Sequence, residues 1–84
     1  MPDRDTIESA VKTFILSEFL PGEDPDELTQ ETPLVSGGIL DSIATLKLVT
    51  FLEEEFGVSV APHEMDSENL DTITLIGDLV TSKL

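Results

Sequence analysis

The chain has no cysteine, no tryptophan and no tyrosine, and a single histidine, His63, in 84 residues. Without cysteine there is no disulfide and no Cys/His set of the kind that holds structural zinc. A lone histidine completes neither a triad nor a metal site, so His63 reads as a loop residue. Positive charge is equally scarce. Four Lys/Arg face eighteen Asp/Glu, for a formal net charge of −14. Such a surface repels nucleic acid and anionic membranes and is drawn to basic patches on protein partners; a pure solubility role is the alternative. No apolar run is long enough to span a bilayer. The start, Met1-Pro2-Asp3-Arg4-Asp5, lacks the basic and apolar stretches of a signal peptide, so a cytoplasmic location is expected.

What remains is a small aliphatic domain. Residues 1–84 are expected to form one domain with one core, burying about 60–65% of the unfolded surface. Leu, Ile and Val must build it, with Phe14, Phe19, Phe51 and Phe56 as the only aromatics. Helical periodicity covers residues 6–20, through Ile7, Val11, Phe14 and Ile15, with Asp5 and Glu8 spaced as a capping box and Pro21-Gly22 as the stop. A second helix is expected over residues 42–56, using Ile43, Leu46, Val49, Leu52 and Phe56 as its buried face and Gly57 as a left-handed terminator. A third long helix starts after Thr72, a good N-cap, and buries Ile73, Ile76, Leu79 and Val80. One helical turn is expected near residues 67–70. The long segment 21–41 carries Leu28, Leu34, Ile39 and Leu40, enough to pin it to the core as an ordered loop. The predicted architecture is all-α: a small bundle of three long helices and one short one.

The chemistry concentrates in Gly38-Ile39-Leu40-Asp41-Ser42-Ile43. Both Asp41 and Ser42 are good caps, and capping alone is the plain reading of such a pair. A serine at a helix start also stands on unpaired N–H groups and the positive end of the helix dipole, which favours a phosphate ester there. Gly37 and Gly38 would leave room for the close approach of another protein. Other constellations fail. Asp24-Pro25-Asp26-Glu27 lacks the mid-loop glycine and final glutamate of a calcium loop, and there is no Gly-rich phosphate loop with lysine. No base is paired to any nucleophile, so an enzyme has no support.

That run, followed by Leu46, Leu48-Val49 and Leu52-Glu53-Glu54-Glu55-Phe56-Gly57, resembles the acyl carrier protein family, as do Thr32-Pro33-Leu34 and Leu70-Asp71-Thr72-Ile73. The resemblance implies that Ser42 carries 4′-phosphopantetheine, donated by coenzyme A, and that the cofactor supplies the thiol which the chain lacks. It implies a carrier, not an enzyme. Its partners would be a phosphopantetheinyl transferase, aided by Asp41, then a loading ligase or acyltransferase and a downstream synthase or transferase. Ile43, Lys47, Phe51 and Glu54 would face those partners, with core packing the alternative for Phe51. Glu53-Glu54-Glu55 opposes the dipole at its helix end; a partner contact and a solvated face are both open.

Fatty-acid carriers typically have acidic residues soon after the serine, where this chain has Ala44 and Lys47. The Gly-Ile-Leu-Asp-Ser form, with Thr45 and Leu48 following, is more similar to D-alanyl carriers and to discrete carriers of polyketide and nonribosomal peptide pathways. A stand-alone, monomeric acyl or aminoacyl carrier of a specialised pathway is therefore expected, with no catalytic residue and no metal. The competing reading is an acidic helical interaction module without a cofactor.

Overall fold

Asp3 starts the first helix. Its extended backbone lets the carboxylate accept the Thr6 N–H at 2.8 Å, so α1 spans Arg4–Phe19. The capping box expected of Asp5 and Glu8 does not form, because Asp3 has already taken the orphan N–H two residues earlier. Glu8 turns inward instead. It is 6% exposed and accepts hydrogen bonds from Gln30 and, at 3.4 Å, from Arg4. Arg4 also pairs with Asp78, so one polar cluster ties α1 to the long loop and the last helix. This is a computed structural model, and it describes residues 3–22 and 24–84. Met1, Pro2 and Glu23, which fall within the expected N-terminus and loop, lie outside the described residues.

The remaining helices are α2, Ser42–Phe56; α3, Ser67–Leu70; and α4, Ile73–Lys83. Short 3-10 turns at Pro25–Glu27 and Pro62–Glu64 interrupt the connections, the second of them holding the exposed His63. No strand occurs among the described residues. Gly57 closes α2 with φ +68°, donating to the Glu53 carbonyl at 3.0 Å. Thr72 caps α4 through the Leu75 N–H at 3.1 Å. The all-α bundle, its four helices and the single turn at residues 67–70 match the sequence expectation.

The core takes Ile7, Val11 and Ile15 from α1, Leu48, Val49 and Leu52 from α2, and Ile73, Ile76, Leu79 and Val80 from α4. The loop is ordered as expected. Leu28, Leu34 and Leu40 are buried, and the loop backbone bonds to the start of α4: Leu34 N–H to the Asp71 carbonyl, and Thr74 N–H to the Gln30 carbonyl.

The expected face of α2 is corrected at its N-terminal end. Ile43 and Leu46 are 67% and 55% exposed, while Ala44 and Leu48 are buried. A stripe stepping by three residues falls about 60° short of a turn at each step, so it winds around the helix. Its first members therefore leave the core that Val49 and Leu52 enter.

Candidate functional site

Asp41 is the N-cap of α2. Its Oδ1 accepts the Ala44 N–H at 2.8 Å and its carbonyl accepts the Thr45 N–H at 2.8 Å. Ser42 is therefore the first helical residue and is not needed as a cap. It is exposed, and among the described residues its hydroxyl has no hydrogen-bond partner. With Ala44 served by Asp41, the N–H groups of Ser42 and Ile43 remain without intrahelical acceptors. A phosphodiester on the Ser42 Oγ would lie beside these donors and the positive helix end.

The approach to this serine is fixed from below. Asp71 Oδ1 accepts the N–H groups of Val35 and Ser36, each at 2.9 Å, and the Ser36 hydroxyl reaches both carboxylate oxygens at 3.2 and 3.0 Å. These bonds, that of the Ser36 backbone above all, hold the Asp71 carboxyl below its ordinary range. Leu40 N–H then bonds back to the Leu34 carbonyl at 2.9 Å. The glycines work within this turn. A Cβ on Gly37 would run into the Pro33 carbonyl, and Gly38 has φ +83°. Gly37 thus serves close packing of the loop on itself.

Two grooves flank Ser42. One, of about 530 Å³, opens beside the hydroxyl between Leu40, Thr45, Leu46 and Met65. The exposed serine, its two free N–H groups and this adjoining groove fit a long, flexible phosphodiester-linked arm. The other groove, of about 450 Å³, lies between α1 and α2. It gathers all four residues expected to face partners, Ile43, Lys47, Phe51 and Glu54. Phe51 packs against the core and also borders the groove. It is half-buried and stacks on Phe14 with ring centroids 4.3 Å apart, while one edge lines the groove.

Three features escaped the sequence. Phe14 and Glu18 bring α1 into the second groove, a long-range contact with no local signal. Ala44 is buried, so of the two departures from acidic carriers only Lys47 is displayed. Glu53 is structural: its Oε2 accepts the Val60 N–H at 2.9 Å, which leaves Glu54 and Glu55 as the exposed part of that run. No helix among the described residues is long and apolar enough to cross a membrane.

Comparison with known proteins agrees with this geometry. The family described as the phosphopantetheine attachment site matches residues 15–79. The chain is 38% identical over 74 residues to the probable acyl carrier protein PigG of Serratia sp. (strain ATCC 39006), covering 88% of this chain and 84% of that protein. It is 38% identical to the acyl carrier protein of Thermotoga maritima, covering 96% and 91% of the two chains. It is 34% identical to the D-alanyl carrier protein of Lactococcus lactis subsp. cremoris, covering 83% and 89%. Among solved structures, a chain from one described as a crystal structure of FAD-dependent dehydrogenase superposes with a TM-score of 0.76 at 31% identity, covering 83% of this chain and 97% of that one. The protein is a carrier and not a catalyst: it belongs to the acyl carrier protein family, whose members bear covalent 4′-phosphopantetheine.

Proposed function

We propose that Ser42 is the attachment residue, and that residues 1–84 act as one stand-alone, monomeric, cytoplasmic carrier domain. The observation that carries this reading is the free, exposed hydroxyl at the first position of α2, in a chain whose family is defined by such an attachment. When bound, the group supplies a thiol that holds cargo as a thioester. The chain's own part is positional. Asp41 fixes the helix start and keeps Oδ2 free for a transferase. Asp71 holds the loop beneath the serine. Ile43, Lys47, Phe51 and Glu54 form a face for visiting enzymes.

Attachment joins the Ser42 Oγ to the phosphorus of coenzyme A that bears the pantetheine arm. The nucleotide 3′,5′-bisphosphate leaves, and the serine proton passes to a base on the transferase. The D-alanyl carrier relative and the exposed Lys47 favour an aminoacyl or short acyl cargo from a dedicated ligase or acyltransferase over fatty-acid elongation. The match to a chain described as an FAD-dependent dehydrogenase adds that enzyme class to the downstream partners worth assaying.

Incubation with coenzyme A and a broad-specificity phosphopantetheinyl transferase is expected to add one phosphopantetheine by intact mass. Ser42→Ala is expected to receive none while melting as the parent does. An unmodified parent, or equal labelling of the alanine variant, overturns the assignment. For cargo, holo protein is expected to be a poor substrate for fatty-acid elongation enzymes, and comparable turnover with them would reject the dedicated-pathway reading.

A further inference from the structure

The groove between α1 and α2 carries an unusual arrangement of charge. Its floor is the stacked pair Phe14 and Phe51, and its rim next to Ser42 is formed by Ile43 and Leu46, which the fold leaves in water although the core could use them. Along the same groove run Glu18, Lys47 and Glu54. The chain has only four cations. Arg4 is paired with Glu8 and Asp78, and Lys83 with Glu64 at 2.8 Å. Neither Lys12 nor Lys47 has a carboxylate within ion-pair distance among the described residues, but Lys12 is half-buried, whereas Lys47 is exposed with two carboxylates lining its groove. An exposed cation set between acids in a strongly acidic protein, and not used to neutralise them, is available to a charge from outside. A uniformly basic surface, which the net charge would otherwise attract, meets repulsion at this position.

We propose that this groove docks a protein partner whose contact segment has an apolar ridge for Ile43, Leu46 and the phenylalanine floor, one carboxylate placed for Lys47, and basic side chains on either side for Glu18 and Glu54. The inference rests on the carrier reading, since the groove starts one residue from Ser42. It adds that the partner is recognised by a minus charge set between plus charges, and that α1 contributes to recognition through Phe14 and Glu18. Lys47 is then a specificity element: it rejects wholly basic docking faces as much as it attracts the matching one.

Two synthetic helical peptides test this directly. They share one leucine ridge, and their polar face reads Arg-Glu-Arg in the first and Arg-Arg-Arg in the second. Binding to the full chain is measured at fixed salt by fluorescence anisotropy, with amide shifts to locate the contact. The parent is compared with Lys47→Glu and with Lys12→Glu, which makes the same change in net charge on the face of α1 turned toward Gln30 and Ile73. Lys47→Glu is expected to move the preference toward the all-arginine peptide by about threefold more than Lys12→Glu does, the size of a partly exposed ion pair. Ile43→Ser is expected to weaken both peptides, and the shifts should centre on Ile43, Lys47 and Phe51. Equal changes in preference for the two lysine variants overturn the charge pattern. Absence of saturable shifts in the groove overturns docking there. Phosphopantetheine loading of the same samples reads the carrier function independently, so the two ideas fail separately.

Discussion

Three helices in this protein begin with an acid followed by a hydroxyl, Asp41-Ser42 at α2, Asp66-Ser67 at the four-residue α3 and Asp71-Thr72 at α4, and the fold uses the first and last of these pairs in opposite ways. At α2 the acid is the cap and the hydroxyl falls one place inside the helix, exposed and without a partner. At α4 the hydroxyl is the cap, and the acid, one place outside, reaches across to the loop at Val35 and Ser36. A shift of one residue in the cap therefore leaves the hydroxyl exposed at α2 and spends it on architecture at α4. Sequence alone presents the two pairs as equivalents, since Ser, Thr and Asp all cap well.

The widest separation between the pairs is expected in loading. Thr72→Ala should accept phosphopantetheine at the parent rate, whereas Ser42→Ala accepts none; a slow Thr72→Ala variant would mean that its hydroxyl bears on the modification site. Next comes Asp71→Ala, which strands two loop N–H groups and one hydroxyl. It should lower the melting temperature by more than Thr72→Ala does and speed hydrogen exchange at Val35 and Ser36. The Thr72→Ala change itself should cost about 1 kcal/mol, an ordinary cap, readable as a shift in denaturation midpoint.

Acid sharpens the contrast further. Asp71 is held low by the Ser36 backbone, Glu64 by Lys83 and Asp3 by the Thr6 backbone. Each folded value lies below the unfolded one, so each contribution is present above about pH 4 and disappears as pH falls through the folded value. Stability should fall steeply below pH 4, and Asp71→Asn should flatten that fall; an unchanged acid limb would mean the clamp adds nothing. The smallest effect is salt. With a net charge of −14 and few ion pairs, raising ionic strength at pH 7 should raise the melting temperature by a few degrees, because screening relieves more repulsion than attraction. A flat or falling melting temperature would show that the folded protein already compensates its carboxylates.

Much of this was legible beforehand where the cause is local. The bounds of α2, the left-handed Gly57, the Thr72 cap and the turn at residues 67–70 all follow from residues within a few positions of each other. What was missed depends on distance along the chain or on the pitch of the helix. Asp3 displaced Asp5 as a cap because the earlier residue was equally able. Ile43 and Leu46 looked buried because a three-residue repeat imitates an apolar face over two turns but not over four. Phe14 and Glu18 reach the groove only after α1 and α2 are placed. The role of Asp71 needs a loop more than thirty residues upstream in the chain to be laid against it.

The cluster that joins Arg4 to Asp78 spans 74 positions, and α1 packs more extensively on α4 than on α2. During synthesis, α1 thus leaves the ribosome well before α4, the neighbour on which it packs most. The loop beneath Ser42 precedes its anchors too, because Asp71 and Thr74 are also late residues. Until translation has passed the start of α4, the loop leading to the serine lacks its anchors at Asp71 and Thr74, and only the local Asp41 cap holds the helix start. The platform under Ser42 is thus finished from downstream: its loop is fixed only by a chain made through the start of α4.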